Sequence, residues 1–374
     1  MANLKVNTVS GIGTEGTVFD GGLKFRSKNY LTLPKGTTTE RTATSSGIST
    51  EIGSIRYNTD SNKMECYVNN KWMIVSTSSP NLDGGVRGLF GGGSAPSSTD
   101  RIDFITISTA GNATDFGDLT VARQWVFGAA SSSVRGVWAG GSSPLTDTID
   151  FVTISITGNA TDFGNLIDSK LAHAGCGNET RGLFGGGNPS NSTTKTDGIE
   201  FITIASTGNA LDFGNLNAAT ASLTATASPT RGLFMGGYTP TALNTIQFVT
   251  IASTGNTQDF GDLSLARQEA AACANSTRAI CFGGGPASAA QGSIDFFTIA
   301  TLGNASNFGD LITTMQSAMG ATSSPTRGVV TTGTGQSNTI EYIEIATQGD
   351  AVDFGDLSLT REIGAACSNG HGGL

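Results

Sequence analysis

The chain has 374 residues, of which 52 are Gly and only 9 Pro, and 14% are charged against ~25% in an ordinary soluble domain. Hydrophobic residues make up 37% and recur throughout, which excludes a disordered polymer, and the absence of a Gly-X-Y period excludes collagen. The formal charge of −9 is unevenly spread: residues 1–80 hold nine Lys/Arg and six Asp/Glu, residues 81–374 twelve and twenty-four. That asymmetry separates two regions, and an acidic body argues against nucleic acid, whose binding rests on cationic contacts to phosphate.

At the start, Met1-Ala2-Asn3-Leu4-Lys5-Val6 lacks an apolar signal core, so no export signal is expected. No apolar run approaches the ~20 residues that span a bilayer, and no membrane insertion is expected. Residues 1–50 are thin in apolar side chains and rich in Thr, Gly and Ser, so they struggle to form a core of their own. Gly53–Asp60 and Lys63–Tyr67 alternate, and their junction at Asp60-Ser61-Asn62 reads as a β-hairpin. The order Leu33-Pro34-x-Gly36-Thr37-Thr38, then Gly53-x-Ile55-Arg56-Tyr57-Asn58-Thr59-Asp60, an acidic-aromatic strand and Trp72 resembles a module of bacteriophage tail fibres and other virion structural proteins. The match covers about 40 residues, and Leu4–Gly13 is similar to the start of fibre proteins of phages that infect marine cyanobacteria. The resemblance implies that residues 1–80 join other virion proteins, with Leu4, Val6, Ile12, Leu33, Tyr57 and Trp72 as attachment residues. It also implies a homo-oligomer, a trimer being favoured, that is made in the host cytoplasm and carried in the virion.

Beyond residue 80 the chain repeats. Arg-Gly recurs at Arg87, Arg135, Arg181, Arg231 and Arg327, with Arg278-Ala279 as the variant copy, at spacings of 48, 46, 50, 47 and 49 residues. Asp-Phe-Gly runs in phase at Asp115, Asp162, Asp212, Asp259 and Asp353, and Asn307-Phe308-Gly309 fills the remaining place. The second copy shows the content of a unit. Arg135–Gly141 is an apolar run stopped by glycines, Ile149–Ile154 is β-branched and aromatic, and Thr157-Gly158-Asn159 is a turn. Ala160–Leu166 and the small-residue stretch Leu171–Cys176 follow. Four short strands per unit of 40 to 50 residues are the signature of propeller blades.

These units resemble the kelch repeat. The glycine pair is Gly92-Gly93, Gly140-Gly141, Gly186-Gly187, Gly236-Gly237 and Gly284-Gly285, and a trailing Arg stands at Arg123, Arg267 and Arg361. Phe116, Phe163, Phe213, Phe260, Phe308 and Phe354 replace the family's Trp, and Thr331-Thr332-Gly333 replaces the last glycine pair, which leaves a divergent propeller family open. The expected fold is all-β: a six-bladed kelch-like β-propeller over residues 81–374, preceded by a small extended β N-terminal attachment region. The first unit lacks a small-residue strand, and residues 361–368 are expected to supply it and close the ring.

Candidate chemistry is sparse. Asp-Phe-Gly is also the magnesium triplet of kinases, but the glycine-rich loop, strand lysine and His-Arg-Asp loop are absent. Phe of the triplet is expected to fill the space between blades, and Gly to permit a turn. Arg87, Arg135, Arg181, Arg231, Arg278 and Arg327 either pair with carboxylates such as Asp115, Asp162 or Asp212, or run along the surface into water. The two His, His173 and His371, have no recognisable catalytic partners, and no loop has the dense oxygen ligands of a calcium site. Cys66, Cys176, Cys273, Cys281 and Cys367 lack Cys-x-x-Cys spacing and read as free thiols, with Cys273 and Cys281 on adjacent strands. No enzyme activity, metal or cofactor is expected.

The segments that vary are Ser94–Arg101, Ser142–Thr148, Asn188–Gly198, Tyr238–Thr245 and Pro286–Ser293. Loops on a rigid scaffold are where recognition is usually placed. Ser97, Leu145, Ser192, Tyr238, Ala289 and Ser337 are the candidate receptor-facing residues, for a host cell-surface glycan or protein. The expected function is that of a tail fibre or fibre-like adhesin. The alternatives are an architectural head, baseplate or tail decoration that docks virion proteins, and a glycan-cleaving propeller enzyme.

Overall fold

The computed structural model describes residues 33–42, 52–61, 63–74, 86–189, 193–286, 289–332 and 337–374. The chain divides into two compact units, 1–79 and 80–374. Both are built of strands, and a single 3₁₀ turn, Thr39–Thr42, is the one helical element among the described residues.

In the first unit, strands Ile55–Asn58, Lys63–Val68 and Lys71–Ile74 form an antiparallel meander, and Lys35–Gly36 adds a parallel edge. The two sequence motifs interlock through polar groups. Thr38 N–H donates to Asp60 Oδ2 (2.7 Å), and Arg56 Nη2 donates to Thr37 O (2.9 Å). The wholly buried Glu65 accepts from Arg41 and from Asn58 Nδ2 (2.8 Å). Arg56 also lies over Trp72, 5.7 Å from its centroid. Of the proposed attachment residues, Leu33, Tyr57 and Trp72 are half-buried, while Leu4, Val6 and Ile12 lie outside the described residues.

The described residues of the second unit form six four-stranded antiparallel sheets. The third is representative, with strands Ala174–Gly177, Arg181–Gly185, Gly198–Thr203 and Leu211–Asn215 in that order. The second sheet runs from Gly128 to Asn165, the fourth from Thr224 to Arg267, the fifth from Ala271 to Met315 and the sixth from Ala318 to Asp356. The first sheet is assembled from both ends of the unit. Its first strand, Ala365–Ser368, pairs with Arg87–Gly91 (Ala365 opposite Gly91, Ser368 opposite Gly88), and Thr99–Thr106 and Thr114–Arg123 complete it.

First strands are made of small residues because they crowd together. They neighbour one another in sheet order, and the sixth neighbours the first. A Cβ on Gly175 would lie 2.5 Å from backbone atoms of Ala129 in the preceding sheet. The same crowding explains the glycine of Arg-Gly. A Cβ at Gly136, Gly232 or Gly328 would meet Sγ of Cys367, Cys176 or Cys273 at 2.9, 3.3 and 2.8 Å. Apolar cores fill the gaps between sheets; Leu89, Ile102, Phe116, Trp138 and Ile154 belong to the one between the first and second. The Asp-Phe-Gly phenylalanine is buried in all six sheets, edge-on to a third-strand aromatic: Phe104, Phe151, Phe201, Phe248, Phe296 or Tyr342, at 5.8–6.0 Å.

The glycine of that triplet serves a contact between sheets. Gly158 N–H, in the Thr-Gly-Asn turn of the second sheet, donates to Phe116 O of the first (2.8 Å), and Ala160 N–H donates to Asp118 O (2.7 Å). Asn159 Oδ1 accepts from Asp118 N–H (3.2 Å). The two backbone bonds recur at every junction, including Gly111 to Phe354 (2.7 Å) and Ala113 to Asp356 (2.7 Å), which join the first sheet to the sixth. Asn112 and Asn159 are therefore turn residues of this contact.

Past the last strand, Asn369–Leu374 crosses the ends of the first strands. His371 Nδ1 accepts from Gly373 N–H (3.0 Å), so Nε2 carries the proton and donates to Ser131 O (2.9 Å). A Cβ on Gly372 would lie 2.4 Å from Asn275 O, and one on Gly373 2.0 Å from Gly177 O.

Gly208 and Gly214 separate conformational cost from collision. Both hold positive φ (155° and 145°), but a Cβ on Gly208 meets nothing within 4 Å, whereas one on Gly214 meets Gly255 O at 2.3 Å. Gly208→Ala is expected to cost about 1 kcal/mol and Gly214→Ala about 3 kcal/mol, measured by urea denaturation. Equal costs would mean that the contact between sheets does not constrain the triplet.

Candidate functional site

Each variable segment leaves its sheet at a glycine pair and returns to the third strand. Gly92 and Gly93 hold φ of 70° and 108°, which only glycine takes readily. Gly92 N–H donates to Arg101 O (3.1 Å), Gly93 N–H to Arg123 O (2.9 Å), and Thr99 N–H closes the loop on Gly93 O (2.9 Å). Gly140-Gly141, Gly186-Gly187 and Gly236-Gly237 make the same three bonds. In the fifth sheet the structure corrects the expected pair: Gly283 and Gly284 (φ 48° and 73°) make the turn, not Gly284-Gly285. Three consecutive glycines left that register undetermined in the sequence.

Beside each loop runs the link that carries the chain into the next sheet. Paired backbone bonds tie the two together, Gln124 with Ser142, Leu171 with Asn188, Ala221 with Tyr238, Gln268 with Gly285, and Glu362 with Ser94. The links are also bonded to one another, through Ala172 N–H to Trp125 O (3.2 Å), Ser222 N–H to Ala172 O (2.8 Å) and Glu269 N–H to Ser222 O (2.9 Å). Trp125, Ala172, Ser222, Glu269 and Ile363 share a φ of 53–57°. A backbone conformation so uniform is architecture, yet the side chain on it changes from Trp to Glu. This second set of variable positions on the loop edge was missed in the sequence reading, and the phase of the repeat would have located it. Trp125 lies edge-on to Phe127, 5.7 Å between centroids. The Ser317 hydroxyl donates to Glu269, whose carboxyl is held above its ordinary range by burial and by the nearby Glu362.

Of the proposed receptor-facing residues, Ser97 and Ala289 are exposed, and Leu145, Tyr238 and Ser337 are half-buried. Ser192 lies outside the described residues. Tyr238 receives the ammonium of Lys195 over its face at 4.9 Å, a contact between the loops of the fourth and third sheets.

The loop bases are held by the trailing arginines. Arg361, wholly buried, donates to Gly92 O (3.2 Å) and Arg101 O (2.6 Å), the two ends of the first loop, and pairs with Asp103 (3.0 Å). Arg267 does the same at Gly283 O and Ser293 O (3.0 and 3.1 Å), pairing with Asp295 (3.1 Å). Arg123 reaches Thr148 O (3.3 Å) and pairs with Asp150 (2.9 Å). Arg123 and Arg267 end the fourth strand of one sheet and Arg361 lies just past it, while each carboxylate lies on the third strand of the next, so the pair also fastens sheet to sheet. The sequence left the six repeated arginines between pairing with a carboxylate and running along the surface; among them Arg327 pairs with Glu344 (2.7 Å). Arg87, Arg135, Arg181, Arg231, Arg278 and Arg327 sit at the opposite end of the second strand, over the third-strand aromatic at 4.6–5.1 Å. Each donates to an isoleucine carbonyl of the following sheet at 2.6–3.3 Å. Asp115, Asp162 and Asp212 are exposed and take no part in this.

The remaining titratable groups serve packing. His173 is wholly buried beside Phe184 with neither ring nitrogen bonded, and burial together with Lys170 and Arg123 holds it well below the ordinary imidazole range. Burial pushes the free thiols of Cys176, Cys281 and Cys367 up to about 12. Such thiols are poor nucleophiles. Among the described residues no three His, Cys, Asp or Glu converge as metal ligands, and no helix is long and apolar enough to cross a membrane. Ala130, Cys176, Thr226, Cys273, Thr322 and Cys367, one from each first strand, help line a narrow cavity of about 50 Å³. That volume admits water but no substrate. Compared with known protein families and curated proteins, the chain matches no family model and no curated protein.

Two expectations follow. Arg267→Met is expected to cost about 3 kcal/mol by leaving Asp295 buried without its cation, and adding Asp295→Asn is expected to recover part of it. No recovery in urea denaturation would mean that the guanidinium acts only through the loop carbonyls. His173 contributes stability that is complete above its unfolded value near 6.5 and is lost as pH falls toward its lower folded value. The slope is up to ~1.4 kcal/mol per pH unit. His173→Leu, copying Leu223 of the next sheet, is expected to reduce that acid sensitivity, read as the urea midpoint between pH 7.5 and 5.

Proposed function

We propose that this chain is a virion structural protein of the bacteriophage tail-fibre type. On this reading residues 1–80 attach it to the particle, and a six-bladed kelch-like β-propeller over residues 81–374 binds a host surface receptor. The propeller reading is supported by six sheets of one plan, by backbone bonds that run from each to the next and from the sixth to the first, and by a first sheet built from both ends of the unit.

One observation carries the functional reading. The six sheets repeat their bonds almost residue for residue, while the loops and links along one edge differ in length, charge and aromatic content. A frame held constant beneath a changing edge is the arrangement of a recognition surface. The loops offer hydroxyls, amides, Tyr238 with Lys195, and the links offer Trp125 and Glu269, groups suited to a glycan or a polar protein surface. Each loop contributes little by itself, and several copies on one particle would multiply weak contacts into lasting attachment.

The test is saturable binding of the full chain, clustered on beads, to intact host cells. Exchange of Asn188–Gly198 or Tyr238–Thr245 for the loop of another sheet is expected to abolish binding while leaving the urea midpoint in place. Absence of binding by the clustered wild type, or binding indifferent to both exchanges, would favour the architectural reading, in which the same edge docks other virion proteins.

A further inference from the structure

The six junctions between neighbouring sheets solve one packing problem, so each can be judged against the other five. At each, a third-strand polar side chain accepts bonds from residues that follow the Asp-Phe-Gly or Asn-Phe-Gly triplet of the preceding sheet. Asp150 takes Thr120 N–H (3.2 Å) and the Thr120 hydroxyl (2.5 Å), and Asp295 takes Ser264 N–H (2.8 Å) and its hydroxyl (2.7 Å). Three of these carboxylates face Arg123, Arg267 or Arg361, and Glu200 faces Lys170 (2.6 Å). Where the fourth sheet has neutral Gln247, the corresponding position before it is neutral Thr220. Gln247 Oε1 accepts from Asn217 N–H (2.9 Å) and the Thr257 hydroxyl (2.6 Å). Charge is thus matched at five junctions.

The junction of the fifth and sixth sheets breaks the match. Glu341 is wholly buried and accepts from Ile312 N–H (2.9 Å) and Thr313 N–H (3.0 Å), but the cation's position holds Met315, also wholly buried. From its own sheet the charged group facing Glu341 is Asp353, its partner on the fourth strand; from the fifth sheet it meets Ile312 and Thr313. Burial and Asp353 both raise its carboxyl above the ordinary range. The turn at the same junction carries Asp350, whose Oδ1 accepts from Asp310 N–H (3.0 Å) where the other five turns use Asn112, Asn159, Asn209, Asn256 and Asn304. Negative charge is added here and no cation answers it among the described residues.

We propose that the junction between the fifth and sixth sheets is a proton-operated seam, firm while Glu341 is neutral and the first to part when it ionises. The sign follows from linkage. In the closed junction Glu341 holds its proton to a higher pH than in the opened one, so opening releases a proton. Opening therefore becomes easier as pH rises from about 4.5 through the raised closed-state value, and levels off above it. This inference stands whether or not the loops bind a receptor.

Hydrogen exchange of the full chain tests it, with rates corrected for the intrinsic pH dependence of the amide. The reporters are amides bonded across the seam, Ile312, Thr313, Gly349 and Ala351, against Thr120, Gly158 and Ala160 at the junction of the first and second sheets. Between pH 5 and 8 the seam is expected to open about tenfold more readily for each unit by which closure raises Glu341, and the reference junction is expected not to follow. Glu341→Gln should abolish the pH dependence at the seam. Met315→Arg, which copies Arg123, Arg267 and Arg361, should slow seam exchange at pH 8 toward the reference. Seam and reference amides exchanging alike at every pH would overturn the proposal. So would a Glu341→Gln protein that keeps the dependence, or a folded Met315→Arg protein whose seam exchange at pH 8 is unchanged.

Discussion

The bond from the turn glycine of one sheet to the phenylalanine carbonyl of the sheet before it sets how closely neighbours pack. At that approach the partner backbone occupies the place of a Cβ, 2.2–2.6 Å away at Gly117, Gly164, Gly214, Gly261, Gly309 and Gly355. The outer edge of each sheet is thereby pinned to the next, and the inner edge must come together as well. That requirement explains the small first strands, the glycine after five of the six arginines and the buried thiols that pack on it. A four-stranded sheet cannot cover both its faces alone; here every sheet is covered by two neighbours through contacts of one kind.

With the spacing settled by backbone bonds, the side chains on the loop edge are relieved of structural duty. The trailing arginines show where that freedom begins. Arg361 and Arg267 bind carbonyls at both ends of a loop, so the base is held while the tip is not. A guanidinium suits this because its donors form a planar fork that serves a carboxylate and carbonyls at once. Lys170 has a point charge and reaches Glu200 alone among the described partners, and Thr220 has no charge. The loops of the third and fourth sheets, the pair that meet through Lys195 and Tyr238, are thus two of the three whose bases lack an arginine, the sixth with Met315 being the other.

The all-β character and the four-stranded units were legible in the sequence because the repeat places the same residue at the same structural position. Arg135–Ala139 and Thr148–Thr153 are strands where the apolar run and the β-branched run stand. Partner choice was less legible. Arg87 and its equivalents were read as candidates for Asp115 and its equivalents because both recur, yet recurrence shows only that each has a constant environment. The informative signal was joint change: Arg123 with Asp150, Lys170 with Glu200, Thr220 with Gln247. Residues that vary together across copies are in contact, whereas invariant ones carry no pairing information. His371 escaped for another reason. Its partner Ser131 lies 240 residues away, and nothing local in a glycine-rich tail announces a half-buried, hydrogen-bonded imidazole.

Internal repetition therefore acts as its own comparison set, and its exceptions gain meaning from the regularity around them. A buried carboxylate without a cation is costly in any protein, because desolvation of the charge is not offset. In a chain without copies, Glu341 would pass as one more strained residue. Here the same slot has been filled four times with a cation and once by exchanging both partners for neutral groups. Both remedies are single substitutions away, arginine for Met315 or glutamine for Glu341, and the space for either is shown by the sister junctions. What the fold accepts at this one place is a carboxylate whose burial depends on a proton, so the sixth sheet is joined to the fifth by a bond of a different kind from the rest.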